Sequence, residues 1–490
     1  MSMPKYLFLA MAIILLLVTV KAEAALQKSS LAIYVDGRQI ETNTVAYVDN
    51  HKVWVAAEAI GKFGRDKVNL DTAAGRILID FSRPDFRLEN EELTNLVRSG
   101  IRLNFPVRTI GGKPYINLHS LEPLFDISYH YYSVNNLPAL TVGLQTTSLD
   151  VQLNKPRVSK AIPGKINLVW DYISDNSRNL AEEKHIEGLD VLSPTWFAIV
   201  DEDGLVANKA DLKYVEEAHA KNYQVWALIT NSFDKELTKE ILANDKAKEN
   251  IIKQMIFYSS LYNLDGINID FENIYDDDKD SLSAFVQDLT KALKKQNVTV
   301  SLDVTVPSNT SDWSRCYDRE KLGSIVDYVM VMTYDEHWRT SPVSGPVASL
   351  DWVEKGVAAT LNYVPKEKLL LGIPFYTREW EETTEYSRIK VKARTLSMEQ
   401  AEKRVKEMNA PMTWLDDKGL YYTEYSKDDK LYRIWLEEER SVSLKAGLVS
   451  KYGLAGAASW RKDFEMPQIW EILKTELKPQ EPQVEKKSKS

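Results

Sequence analysis

The rhythm of apolar and polar positions changes near residue 165. Before it, residues 27–145 carry short alternating runs, "LAIYVDGRQI", "KVWVAAEAIGKF" and "GRILIDF", broken by Gly, Asp and Asn turns. Period-two alternation between such turns predicts short strands with one buried face. After Lys165, longer apolar runs alternate with amphipathic stretches, the pattern of repeated βα units around a parallel sheet. The apolar runs fall at 166–172, 189–199, 224–230, 266–272, 298–306, 326–335, 368–376 and 453–460. Eight parallel strands predict an α/β fold closed into a (β/α)8 TIM barrel spanning 160–477. Helical periodicity fills gaps at 211–222, 281–296 and 443–452.

One gap is too long for a single helix. Residues 377–440 contain "PMTWLDDKGLYYTEYSKDDKLYRIWLEE", which reads as strands joined by a turn at Asp417-Lys418-Gly419. A small α+β insertion between strands seven and eight is expected over one rim of the barrel. The closing segment 478–490, "KPQEPQVEKKSKS", has little to bury and is expected to be disordered.

The N-terminal region holds a weak internal repeat. "KVWVAAEAIGKF" (52–63) is echoed by "KPYINLHSLEPLF" (113–125), each a strand running into a short helix. This resembles the stalk module named after the copper amine oxidase N-terminal domain; the resemblance implies no copper, because the histidines needed for it are absent. A spacer is the expectation, and a wall-binding module the alternative. Ahead of it, "MSMPKYLFLAMAIILLLVTVKAEAA" has a lone Lys5, an apolar run and Ala22-Glu23-Ala24, which predicts a signal peptide over 1–24. An uncleaved anchor is the alternative, although the run is short against the ~18 or more apolar residues a span needs. The protein is thus expected to be secreted or cell-wall associated.

Composition narrows the function classes. Cys316 is the only cysteine, so an exported chain of 490 residues must hold together by its cores, which favours a bacterial source. A net charge of −9 gives no footprint for nucleic acid. The six histidines are scattered, with no pair at a ligand spacing, so no metal or other cofactor is expected. Asp276-Asp277-Asp278 lacks the alternating ligand spacing of a calcium loop and reads as a solvated turn.

The chemistry concentrates in "LDGINIDFEN", Leu264 to Asn273. On a strand, Ile267, Ile269 and Phe271 share one face and Asn268, Asp270 and Glu272 the other. In a barrel the first set belongs beneath the helices. The second points inward, climbing to the C-terminal mouth where barrel enzymes keep their sites. Unpartnered buried carboxylates cost several kcal/mol each, so a polar stack ending at the mouth is read as functional, the alternative being a satisfied structural network. Two carboxyls suggest glycoside cleavage. Asp270 and Glu272 lie roughly 7 Å apart along one strand, so they approach a sugar from one side, whereas ordinary schemes flank the bond. The known alternative is attack by the substrate's own 2-acetamido oxygen. Glu272 is then the general acid, and Asp270 orients the acetamido group and stabilises its positive charge.

"DGINIDFE", Asp265 to Glu272, resembles the D-G-x-D-x-D-x-E signature of glycoside hydrolase family 18, whose members cleave β-1,4 bonds of N-acetylhexosamine polymers with substrate assistance. "VMTYD" resembles the family's M-x-Y-D, which implies that Tyr334 hydrogen-bonds the acetamido carbonyl and Asp335 contacts the sugar. "AASW" resembles the family's terminal tryptophan, which makes Trp460 the floor beneath the reacting sugar. Two positions depart from the pattern. Asn268 stands where chitinases usually have aspartate, and "WALITNSFD" lacks the S-x-G-G motif. Both departures resemble the branch of spore-cortex and peptidoglycan glucosaminidases. Of the remaining tryptophans, Trp196 and Trp338 follow strand ends near the expected mouth, where a ring can stack on a sugar; core packing is the alternative. The expectation is a monomeric hydrolase of a polysaccharide, peptidoglycan ahead of chitin, with a non-catalytic sugar-binding lectin as the rival class.

Overall fold

The computed structural model describes residues 27–478, except 36, 50–51, 61–66, 72–75, 125, 135–136, 146–147, 154–160, 175–176 and 387. The expected leader and all but the first residue of the expected tail lie outside the described residues. Among the described residues no helix is long and apolar enough to cross a membrane.

The eight expected strands are present: β1 (Ile166–Asp171), β2 (Val191–Pro194), β3 (Gln224–Thr230), β4 (Gly266–Asp270), β5 (Thr299–Thr305), β6 (Tyr328–Met332), β7 (Leu369–Pro374) and β8 (Gly456–Trp460). Each pairs in parallel with its neighbour, β8 returns to β1, and the ring closes where Val191 and Leu192 of β2 meet Gln224 and Val225 of β3. Leu168, Trp170, Trp226, Leu228, Met330 and Leu370 fill the interior, so the barrel is a packed core and not a pore. Outside lie α1 (Leu212–Ala220), α2 (Lys235–Ala243), α3 (Asp245–Leu261), α4 (Lys279–Lys294), α5 (Arg319–Ile325), α6 (Leu350–Thr360), α7 (Glu439–Tyr452) and α8 (Ile469–Leu477). The first unit is the exception, with a short 3-10 turn at Leu180–Glu182 in place of a full helix.

The second expected strand, 189–199, is split. β2 stops at Pro194, which has no N–H for a ladder, and the chain resumes as Phe197–Ile199. That piece pairs with β3 on one side and folds back as an antiparallel hairpin with Val206–Asn208 on the other.

Between β7 and β8 stands the expected insertion, a five-stranded antiparallel sheet with one helix, Met398–Met408. Its first strand, Tyr376–Glu385, begins two residues after β7 ends, so it leaves straight from the barrel mouth. Its last strand, Lys430–Leu436, hands over to α7 through a buried ion pair between Glu437 and Lys445 at 2.8 Å.

The N-terminal region, expected to be a spacer, packs against the barrel. The two halves of the repeat meet as an antiparallel pair, Lys52–Ala56 against Lys113–Asn117, inside a seven-stranded sheet. A second group of strands continues the barrel's own sheet: Asn104, in Ile101–Pro106, pairs with Ala207 of the hairpin after β2. Phe81 packs against Phe257 of α3 with ring centroids 6.1 Å apart, and the Asn104 backbone N–H donates to the Tyr258 hydroxyl at 3.3 Å. Asn90 and Gln296 bond at 2.7 Å across the same junction. Apolar burial on α3 therefore serves both regions at once.

Phe257→Ala removes a fully buried ring at that junction and is expected to cost about 3–5 kcal/mol. Limited proteolysis followed by mass spectrometry is expected to show faster cleavage of both regions than in wild type; faster cleavage of one region alone would contradict the shared packing described.

Candidate active site

β4 and the residues after it carry the polar stack. Phe271 faces outward, where its ring stacks on Phe285 of α4 at 5.9 Å, so its neighbours of opposite parity turn to the interior. Asn268, at the bottom, is fully buried and every polar atom is used: Trp170 Nε1 donates to its Oδ1 at 2.8 Å, and its Nδ2 donates to Asp303 Oδ1 at 2.8 Å and to Ser301 Oγ at 3.1 Å. Above it come Asp270 and Glu272, half-buried at the floor of the mouth. The Glu272 peptide is held on both sides by Asn231, which accepts from the Glu272 N–H at 3.0 Å and donates to its carbonyl at 2.8 Å. The Tyr317 hydroxyl donates to the Phe271 carbonyl at 2.7 Å. The main chain carrying Glu272 is thus fixed by side chains from two other parts of the barrel.

The electrostatics follow from crowding acids in a packed interior. Burial pushes Asp270 up to about 7. Burial, then the charges of Asp270, Asp303 and Asp335, push Glu272 well above the usual carboxylate range. Asp303 on β5 is also pushed well up, by burial and Asp270, with the hydrogen bond from Asn268 pulling the other way. A carboxyl that keeps its proton near neutrality can donate it.

Opposite β4, the chain after β6 supplies Tyr334 and Asp335. Asp335 has a left-handed backbone, φ 59°, uncommon for a residue other than glycine. An extended strand would aim consecutive side chains apart, whereas this turn lets both meet Tyr376. Tyr334 contacts that ring edge-on at 6.3 Å, and the Tyr376 hydroxyl donates to the Asp335 carboxylate. Arg378 is almost fully buried and donates to Asp335 Oδ1 at 2.5 Å and to the His337 carbonyl at 3.2 Å. Burial drives the Tyr334 hydroxyl well above its ordinary range, so it stays a neutral donor; the acids Asp303, Glu272 and Asp270 add to the effect.

Trp460 ends β8 half-buried beside Trp170, ring centroids 6.1 Å apart, and packs with Tyr334 against the apolar barrel interior. Trp338 lies in the loop after β6 and is 52% exposed. The expected sugar-facing role of Trp196 is corrected. Its ring is 1% exposed, packs edge-on against Tyr214 of α1 at 5.1 Å, and its Nε1 donates to Ser177 Oγ at 2.9 Å, so no face is free to stack. It sits in the break between β2 and Phe197–Ile199, where the kink turns it into the helical layer.

Four residues of the cluster escape the reading of the sequence. Asp303 was accessible to it: "VSLDVTV" sets Val300, Leu302 and Val304 against Ser301 and Asp303 with the same period as β4. Asn231 is a single polar residue past an apolar run and carries no periodic signal. Tyr376 and Arg378 alternate on the insertion's first strand, and only the folded position of that strand brings them to Asp335.

Comparison with known proteins comes to the same region. Residues 165–465 match the family model described as Glycosyl hydrolases family 18. The chain is 27% identical over 288 residues to the uncharacterized glycosylase YvbX of Bacillus subtilis (strain 168), covering 56% of this chain and 81% of that protein. It is 22% identical to the cortical fragment-lytic enzyme of the same organism, covering 52% of this chain and 60% of that one, so it spans less than two thirds of that relative. The spore cortex-lytic enzyme SleL of Bacillus megaterium QM B1551 superposes with a TM-score of 0.58 at 19% identity, over 65% of this chain and 76% of that structure. A chitinase of Chromobacterium violaceum ATCC 12472 gives 0.57 at 22% identity, over 64% and 100%. The likeness to these two structures concerns the fold.

A buried acid with a raised folded-state pKa binds more protons folded than unfolded, so stability falls as pH rises from its unfolded value near 4 to its folded value. For Asp270 that window runs from 3.8 to about 7. Asp270→Asn is therefore expected to match wild type in urea melts at pH 4 and to exceed it by pH 8, by up to a few kcal/mol. A difference that is constant with pH would contradict the burial of this carboxyl.

Proposed function

From the glycosyl hydrolases of family 18, to which this chain belongs, we propose a more specific activity: an exported N-acetylglucosaminidase of peptidoglycan or spore cortex, retaining by substrate assistance. In this reading Glu272 protonates the leaving oxygen and later deprotonates water. Asp270 orients the 2-acetamido group and meets the positive charge it gains as its oxygen attacks C1. Tyr334 donates to the acetamido carbonyl, Trp460 lies under the sugar ring, Asp335 contacts the sugar and Trp338 offers a further face at the rim.

One observation carries the mechanism. Asp270 and Glu272 rise from the same strand, and across from them Asp335 is held by Arg378 and Tyr376. With Asp335 engaged by these two partners, the arrangement supports attack by a group of the substrate rather than by a carboxylate flanking the bond. Similarity to the cortical fragment-lytic enzyme supports cell-wall glycan as substrate, and the uncharged Asn268 is consistent with that branch. Export rests on the leader-like pattern of residues 1–24. The similarity in fold to a chitinase supports chitin as the second reading.

Glu272→Gln keeps the shape of the site and removes the proton. Muropeptides released from purified peptidoglycan, followed by mass spectrometry, are expected to fall by about 10²–10⁴-fold. Parallel digests of chitin oligomers separate the two substrates. Undiminished release by the variant would remove Glu272 from the acid's role, and glycan binding without turnover by the wild type would point to a lectin.

A further inference from the structure

The Asn268 amide has a single orientation. Trp170 Nε1 can only donate, so the atom it meets at 2.8 Å is the carbonyl oxygen, and the amide's two hydrogens are left for Ser301 and Asp303. A donor thus faces Asp303 Oδ1 and fixes that oxygen as an acceptor. No other hydrogen bond reaches the Asp303 carboxyl from the described residues. Strand register sets this group beside Asp270: Asn268 pairs with Ser301 and Ile269 with Leu302, so one step further the two aspartates lie level on adjacent strands. Parallel neighbours are ~4.8 Å apart between backbones, and both side chains point inward. Two carboxylates at such spacing in a packed interior do not both ionise.

We infer that Asp303 is a positioning residue of the hydrolytic reaction, held by the Asn268 amide beside Asp270 and sharing one proton with it, so that the pair carries a single negative charge. The inference rests on the substrate-assisted reading of the site. When the proton resides on Asp303, Asp270 is a carboxylate and accepts the N–H of the acetamido group. In the first step the Glu272 O–H breaks and its proton joins the leaving oxygen. The C1–oxygen bond breaks with its electron pair going to that oxygen, and the acetamido oxygen bonds C1. The positive charge formed meets the Asp270 carboxylate, and the proton on Asp303 does not move. Asn268 cannot ionise, so it holds the pair without adding a charge.

Other titratable groups around the pair are Glu272 on the same strand end, Tyr317 after β5, Tyr334 and Asp335 after β6, and Tyr376 of the insertion. Arg378 is held by Asp335. The tyrosines are pushed well above their ordinary range by burial and stay neutral, which leaves the carboxyls to set the pH response.

Asp303→Asn replaces the acid by a neutral group of the same shape. The shared proton is then gone, and Asp270 titrates alone, without a protonated neighbour to stabilise its carboxylate. The acid limb of the pH profile of kcat/KM is therefore expected to move to higher pH by about one unit, a loss of about ten-fold on the acidic side. An unmoved profile, with only a lower melting temperature, would assign Asp303 a structural role and overturn the inference. A readout independent of turnover is the carboxyl ¹³C NMR titration of aspartate-labelled wild-type protein. Two coupled titrations that collapse to one in the variant support the shared proton, and independent titration of both aspartates in wild type overturns it, even if the variant does not fold. A wild type that hydrolyses no N-acetylated glycan refutes the functional reading instead, and leaves the NMR result standing.

Discussion

A carboxyl surrounded by protein keeps its proton at a pH where one in water has lost it, and the whole site depends on that constraint. It requires protein around and beneath the group, which an open sheet does not offer. Closure of the ring between β2 and β3, with Trp170, Trp226 and Met330 packed beneath, supplies a dry floor under Asp270 and Glu272. The bottom member of the stack is an amide, which meets Trp170, Ser301 and Asp303 there without adding a further charge beside the buried Asp303.

Position in the fold explains the opposite wall equally well. The insertion is more than decoration over the rim, because its first strand starts almost where β7 stops. Tyr376 and Arg378 therefore reach Asp335 from a rigid sheet and not from a loop. A left-handed turn at Asp335 completes the arrangement, an uncommon conformation of the kind that persists where surrounding contacts over-determine it.

Much of this was legible in the amino-acid sequence, and the limits have physical causes. Period-two alternation in "GINIDFE" assigned Asn268, Asp270 and Glu272 to one face, because a strand leaves no other choice. The eight strands were equally plain, since strands covered on both faces read as apolar runs. Trp196 was misplaced because a ring after a strand end can turn to the mouth or to the helices, and the kink at Pro194 that decides it is a tertiary matter. Asn231 clamps the Glu272 peptide from a different strand, a relation that local pattern does not encode. The contact between the N-terminal region and the barrel was not legible for a similar reason: the pairing of Ala207 with Asn104 joins segments far apart along the chain.

That last pairing has a mechanical side. A catalytic barrel on a flexible leash searches its surroundings by tumbling, whereas here the sheet passes from the ring into the N-terminal region through the pairing of Ala207 with Asn104. Whatever grips those outer strands also sets the compass bearing of the cleft. A glycan must then be brought into line with the protein as a whole, and the angle of approach becomes a built-in property of the molecule.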